Sequence, residues 1–182
     1  MIAIRLTILV LLACGLGYPL LMTGVAQVLF PYQSAGSLIA ARDRRPLGSM
    51  LIGQAFEGPQ WFHGRPSAVD YRAESSGASN LGPTNRKLIA RVTSDVERLR
   101  AENPTWGDRP VPVDLVTETG SGLDPHISPE SARLQAPRVA HARNIGLDEV
   151  NSLIDAHTAL PDLGVFGAPR VNVLALNLAL IR

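Results

Sequence analysis

An uninterrupted apolar run near the amino terminus constrains this chain more than any other feature. Residues 6–30 contain no charged side chain, and their hydroxyl and amide side chains are Thr7, Tyr18, Thr23 and Gln27. A helix of about 25 residues extends about 37 Å at 1.5 Å per residue. The hydrocarbon core of a bilayer, about 30 Å thick, needs only about 20 residues. The run therefore predicts a helix that crosses a membrane.

Two other interpretations of this run stay open. A cleavable secretory signal has about 7–15 apolar residues before a small-residue cleavage site, and the neighbourhood of Cys14 resembles such a site or a lipidated cysteine. The run continues well beyond Cys14 and ends at Phe30 and Tyr32, where aromatic side chains suit a membrane interface. We therefore predict a retained anchor over residues 1–32 and a soluble domain over residues 33–182.

Small residues within the run indicate how the helix meets other helices. Gly15, Gly17 and Gly24 would let a second membrane helix approach closely. The direction of the helix is less constrained, because Arg5 precedes it and a basic cluster at residues 42–45 follows it. Long domains are translocated largely regardless of such charges.

Composition limits the soluble part to one domain of ordinary size. About 150 residues follow the anchor, too few for two comfortable domains. The net charge of +1 provides no strong field for nucleic acid. Cys14 is the only cysteine, so an intrachain disulfide and a cysteine metal site are excluded. The only lysine, Lys87, follows an arginine, which excludes a Walker A phosphate loop.

Periodicity and capping signals predict a mixed α+β domain: one N-terminal transmembrane helix followed by a single soluble domain with helices and strands. Ser128 precedes a proline and a glutamate, a typical helix start. Pro137 should kink or divide that helix. The other expected elements are a strand pair at 36–39 and 50–52, a half-buried extended stretch at 61–71, an ordered loop at 75–85, a helix capped by Thr84 or Asn85 and ending near 102, a strand at 111–117, a helix at 148–157, and a helix at 171–181 capped by Asn172.

Several polar clusters resemble sites, and each has a structural alternative. Ser121, Asp124 and His126 bring together the residue types of nucleophilic catalysis, but their Gly- and Pro-rich surroundings favour a structured turn. A metal site formed by His63, Asp124 and His126 lacks the helical spacing of common metal ligands. Asn80 could recognise a ligand, yet asparagine in such loops more often bonds to its own backbone. From these residues alone, no active site is evident.

The chain closely resembles the C subunit of Kdp-type potassium-transporting ATPases. Six stretches in order, following an amino-terminal span, carry this resemblance over the whole chain. They are residues 48–54 (GSMLIGQ), 62–68 (FHGRPSA), 79–85 (SNLGPTN), 120–129 (GSGLDPHISP), 138–140 (RVA), and 169–174 (PRVNVL) with 176–178 (LNL).

The resemblance implies an accessory, non-catalytic subunit of a high-affinity potassium uptake complex. In this family a channel-like A subunit selects potassium and a P-type B subunit hydrolyses ATP, while the C subunit stabilises their assembly and raises the ATP affinity of B. It implies a single-pass protein of the bacterial inner membrane with its domain on the periplasmic side. Gln135 is the family-like candidate for a nucleotide contact, with no other bound cofactor expected. Candidate partner-binding residues are Gly15, Gly17, Gly24, Asn80, Asn85, Ser121, Asp124 and His126.

Two different functions compete with this one. A membrane-anchored extracytoplasmic hydrolase would depend on Ser121 or His126. An anchored ion-binding accessory protein would place acidic side chains in a cleft.

Overall fold

The computed structural model describes residues 1–41 and 43–181, so Arg42 of the basic cluster lies outside the described residues. The chain forms two compact units, residues 1–49 and 50–182. The first unit contains a 28-residue helical segment, Ile2–Leu29, which is long and apolar enough to cross a membrane and buries none of its side chains within the protein. This segment confirms the predicted N-terminal apolar helix.

The helical segment changes register near its middle. It consists of α1 (Ile2–Leu12), one π-helical turn (Ala13–Gly17) and α2 (Tyr18–Leu29). A short helix, α3 (Pro31–Ser34), follows directly.

The first unit ends in a β-hairpin that is displaced from the predicted strand pair. Strands β1 (Leu38–Ala40) and β2 (Pro46–Ser49) pair antiparallel, with Ile39 opposite Gly48. The prediction of a strand at residues 50–52 was wrong because the turn is tight. Ala41 N donates to Arg45 O at 2.8 Å, so the return strand begins at once.

The second unit is built on a small antiparallel sheet and four helices, which confirms the α+β class. Strands β3 (His126–Ile127), β4 (Thr158–Ala159) and β5 (Arg170–Asn172) are arranged in the order β3-β5-β4. The helices are α4 (Arg86–Glu102), α5 (Pro129–Arg143), α6 (Leu147–Ala156) and α7 (Val173–Ala179).

Side-chain caps define where three of these helices begin, as the sequence predicted. Asn85 accepts from Lys87 N at the start of α4, and Ser128 accepts from Ser131 N at the start of α5. Asn172 accepts from Ala175 N at the start of α7. Each cap satisfies one of the backbone donors that a helix leaves unpaired at its first turn.

The hydrophobic core lies around α5, which contributes buried residues on more than one face. Those residues are Ala132, Leu134, Ala136, Val139 and Ala140. Around them pack side chains from the sheet, from α6 and α7, and from the extended segment at 61–71, among them Phe62, Val150, Ile154, Val171 and Leu176. Burial of this central helix from several sides explains why α5 runs undivided through Pro137, contrary to the predicted division.

Two further expectations were wrong in detail. Residues 111–117 do not form a strand, because Pro112 lacks a donor and its carbonyl accepts from Leu115 N in a 3-10 turn at Val113–Leu115. Ile89, expected on the buried stripe of α4, is 53% exposed, whereas Leu99 on the same helix is buried.

Candidate functional site

The loop at residues 119–126 is fixed to other segments of the domain through its backbone. Gly77 N donates to Ser121 O at 2.8 Å, and Gly53 N donates to Leu123 O at 2.7 Å. These bonds join three of the six stretches that carry the family resemblance or adjoin it. The loop is therefore a structural junction of the domain.

Ser121 lies in this loop without the geometry of a nucleophile. Its hydroxyl lies 3.3 Å from the Thr119 hydroxyl and accepts from Leu123 N at 3.1 Å. Within the part of the chain that the structure describes, it has no hydrogen bond to Asp124 or His126. A catalytic serine needs a base within hydrogen-bond reach. The loop thus has the structured turn that its composition favoured.

Asp124 is the electrostatic centre of the same loop. Its carboxylate accepts from the Arg65 guanidinium at 3.1 Å and from His126 N at 3.0 Å, and His126 Nδ1 lies 3.5 Å away. Hydrogen bonding by His126, supported by Arg65, lowers the pKa of Asp124 although partial burial opposes this shift. The carboxylate therefore stays ionised and acts as an acceptor that ties the loop to Arg65.

A cleft of about 410 Å³ opens beside this ion pair. Its charged or titratable lining residues are Arg65, Asp114, Asp124, His126 and Arg170. Asp114 accepts from Ser128 N at 2.7 Å and from Ser131 Oγ at 2.6 Å, and Arg170 lies 3.4 Å from Asp162. The acids that face this cleft are therefore already paired with groups of the domain.

The structure does not assemble the predicted metal site. Across residues 1–41 and 43–181, no three His, Cys, Asp or Glu side chains lie close enough together to hold an ion. His63 points elsewhere, with Nε2 at 3.0 Å from Gly58 O. Burial, together with the positive charge of Arg138, lowers the pKa of His63. It is therefore a packed, neutral histidine near pH 7.

Two buried amide side chains bind the backbone of the adjacent residues Phe62 and His63. Gln135 accepts from His63 N at 2.8 Å and donates to His63 O at 3.1 Å. Asn177 repeats this pattern at Phe62, with distances of 2.8 and 2.9 Å. Both amides are about 1% exposed. They supply an extended segment with the paired hydrogen bonds that a neighbouring strand would otherwise provide.

Gln135, the candidate nucleotide contact, is thus engaged inside the domain. Its amide nitrogen also donates to Ser131 O at 3.3 Å, and its oxygen also accepts from Arg138 at 2.9 Å. A role in nucleotide affinity stays a prediction. Sequence reasoning missed Asn177 as its counterpart. The signal was a lone amide among leucines in a helix, because a buried polar group must find a partner.

The two asparagines of the loop at 79–85 have local partners. Asn85 caps α4, with Oδ1 accepting from Lys87 N at 2.9 Å. Asn80 is exposed with a positive φ of 53°, and its amide donates to Ala78 O at 3.2 Å. Their proposed contact with a partner subunit stays a prediction, as it does for Ser121.

The three glycines of the apolar helix are free of contacts that require glycine. A methyl group at Gly15 or Gly17 would lie 3.8 or 3.6 Å from its nearest neighbour, an ordinary distance. At Gly24 it would meet no heavy atom of the described residues within 4 Å. Their small size is thus not explained by the fold of the chain itself.

The π-helical turn lies at the first two of these glycines. Tyr18 N donates to Ala13 O, five residues earlier, and Pro19 follows without an N–H group. The carbonyl of Cys14 therefore has no backbone donor within the helix at either the four- or the five-residue spacing. Such π-turns often occur at functional sites.

Comparison with known proteins agrees with the resemblance read from the sequence. The family model KdpC, described as the K+-transporting ATPase c chain, matches residues 1–182. A potassium-transporting ATPase KdpC subunit of Gloeobacter violaceus is 52% identical over 178 residues, which covers 98% of this chain and 93% of the relative. The corresponding subunit of Caulobacter vibrioides is 56% identical over 168 residues, or 91% and 84% of the two chains. The chain therefore belongs to the KdpC family of potassium-transporting ATPase subunits.

Proposed function

We propose that this chain is a non-catalytic subunit that stabilises the assembly of a K+-transporting ATPase through its apolar helix. One contrast carries the proposal. The polar side chains that resembled a catalytic site bond to the domain's own backbone, whereas the helix Ile2–Leu29 leaves its whole surface uncovered. Such an arrangement suits a protein that works by contact with other membrane subunits.

The π-helical turn is the proposed centre of that contact. A backbone carbonyl without a donor is costly in the bilayer core, where water is absent. The carbonyl of Cys14 lies between Ala13 and Gly15, so a neighbouring helix can approach closely there. A hydroxyl or amide side chain on that neighbour would satisfy the carbonyl.

The proposed effect on ATP is indirect. The domain is proposed to lie on the outer side of the bacterial inner membrane, where it cannot touch cytoplasmic ATP. The catalytic B subunit then binds ATP, and the channel-like A subunit carries potassium. By stabilising an assembled state that binds ATP more tightly, this chain raises the apparent ATP affinity without a nucleotide site of its own.

Replacement of Gly17 or Gly24 by leucine tests the assembly role. Each bulky side chain should obstruct the approach of a neighbouring helix and lower recovery of the other subunits with this chain by at least fivefold. Ala26→Leu is the matched control, since Ala26 lies about 180° around the axis from Gly17 at 100° per residue. Equal recovery of all three variants would contradict helix-mediated assembly.

Two measurements test the indirect effect on ATP. Complexes prepared without this chain should show a higher KM for ATP than complete complexes, and an unchanged KM would contradict the coupling. In a Cys14→Ser chain, Ala73→Cys should react with a membrane-impermeant maleimide added to intact cells, whereas Ala3→Cys should react only after permeabilisation. The reverse pattern would place the domain inside the cell.

A further inference from the structure

The connection between β4 and β5 exposes a cluster of apolar side chains. Nine large apolar residues are exposed in the second unit as described, and four of them lie within this one connection. We call these four the apolar tip: Leu160, Leu163, Val165 and Phe166, exposed by 72, 90, 78 and 66% respectively. Single exposed apolar residues are ordinary, but a cluster of this kind usually marks a contact surface.

The backbone of the apolar tip is closed by its own hydrogen bonds. Asp162 N and Phe166 O are 2.9 Å apart, as are Phe166 N and Asp162 O. Gly164 N donates to Pro161 O at 3.0 Å, and Val165 N donates to Asp162 O at 3.2 Å. A turn that satisfies these groups internally can leave bulk water at a lower cost than an open loop.

The turn itself does not account for a leucine at its apex. Leu163 has a φ of +53°, a left-handed conformation that asparagine, aspartate and glycine adopt most readily. A polar residue would form this turn at lower cost and would not expose an apolar side chain. The leucine therefore indicates a contact made by its side chain.

The bilayer surface is the partner that these observations favour. Twenty residues, 30–49, separate the apolar helix from the second unit, a connection that spans at most about 70 Å. A chain attached to a membrane in this way meets lipid at a high effective concentration, so a weak insertion suffices. A protein interface of ordinary size needs about 20–30 residues on each side, far more than the tip supplies.

We propose that the apolar tip inserts into the interfacial region of the lipid bilayer as a second membrane contact of this chain. The apolar side chains would enter the boundary between headgroups and acyl chains, as they do in interfacial helices. The ion pair of Asp162 and Arg170, 3.4 Å apart, would remain in the headgroup region.

Site-specific fluorescence on the full chain in phosphatidylcholine vesicles tests this proposal. In a Cys14→Ser chain, Leu163→Cys carries an environment-sensitive dye, and Ile89→Cys is the matched control, an exposed apolar position on α4. Quenching by aqueous iodide should be at least threefold weaker at position 163 than at position 89. Quenching by lipids that carry a nitroxide near the headgroup should be at least threefold stronger at 163.

A second variant excludes insertion driven by the dye alone. Adding Val165→Ser and Phe166→Ser to the labelled Leu163→Cys chain should restore iodide quenching to the level at position 89, with an unchanged circular dichroism spectrum. Equal quenching at 163 and 89 in the parent chains would overturn the proposal. Protection of 163 only after addition of the other ATPase subunits would overturn it in favour of docking on protein. Because the chain is measured alone, none of these outcomes depends on its role in assembly.

Discussion

Glycines in the apolar helix and glycines in the folded domain are small for different reasons. A methyl group at Gly24 would meet no described heavy atom within 4 Å. At Gly122 the same group would lie 2.6 Å from Val69 Cγ2 and 2.8 Å from Gly77 O. The neighbours that require Gly122 are inside the chain, whereas any neighbour that requires Gly24 must come from outside it.

The same contrast separates the polar side chains from the apolar surface. Gln135 and Asn177 are buried and bound to the backbone of the domain, so their function in folding is complete within one chain. The helix Ile2–Leu29 buries nothing within the protein. Mutations should therefore affect either the stability of the domain or its contacts with other molecules, according to region.

Gly122→Ala should produce the largest loss of stability. Its φ of +71° disfavours any residue with a Cβ atom, by about 1–2 kcal/mol, and the close contacts add a further penalty of about 1–3 kcal/mol. We expect the free energy of unfolding to fall by about 3 kcal/mol in total. Urea unfolding of the full chain in detergent, followed by tryptophan fluorescence, measures this change.

Gly120→Ala provides the control for that experiment. It lies two residues away in the same loop, and a methyl group there would meet no described heavy atom within 4 Å. Its unfolding free energy should change by less than about 0.5 kcal/mol. If the two variants were equally unstable, the distinction between internally required and free glycines would be lost.

Gln135→Leu and Asn177→Leu should each lower the unfolding free energy by about 2 kcal/mol, because each leaves a buried backbone N–H and C=O without partners. The pair also separates a structural from a nucleotide role for Gln135. If Gln135 acts only on folding, the two variants should change the KM of the assembled ATPase for ATP equally. A KM raised by Gln135→Leu alone would support a direct nucleotide contact and contradict the indirect mechanism.

The sequence predicted the elements whose signals are local. The caps Asn85, Ser128 and Asn172 were identified because a polar side chain directly before an apolar period leaves few alternatives. Residues 111–117 were mispredicted because alternation is a weak signal beside prolines. The hairpin shifted because its register depends on a turn rather than on its short apolar runs.

The chemistry of the candidate site was less predictable, because it depends on long-range partners. Asp124 and His126 are sequence neighbours, yet the charge that completes the cluster comes from Arg65, 59 residues away. Gln135 and Asn177 act together on adjacent residues of a third segment, a juxtaposition that no spacing in the sequence encodes. What the residues did establish was the absence of a phosphate-binding loop and of cysteine chemistry.

The pH dependence of stability should be a smaller effect and should arise inside the domain. Since burial and Arg138 lower the pKa of His63, the unfolded chain binds a proton there more readily than the folded one. The contribution of His63 to stability is therefore complete above its ordinary pKa of 6.5 and is lost as the pH falls through and below that value. His63→Gln should reduce the slope of unfolding free energy between pH 7.5 and pH 5.

The exposed His141 provides the matched control for that measurement. His141→Gln should leave the slope unchanged, since its side chain is in contact with solvent. An identical slope in the parent chain and in His63→Gln would contradict the assignment of this dependence to a buried, neutral histidine.

Gly24→Ala should have the smallest effect on the chain alone, and for that reason it sharpens the comparison most. A methyl group there contacts nothing in the described protein, and alanine favours helix, so the unfolding free energy should change by less than about 0.5 kcal/mol. In the assembled ATPase the same methyl group would separate two closely packed helices. We therefore expect a lower midpoint for thermal dissociation of the complex, with no change in the melting of the isolated chain. A shift in both measurements would show that Gly24 serves the fold of this chain, and the division between the two classes of glycine would have to be abandoned.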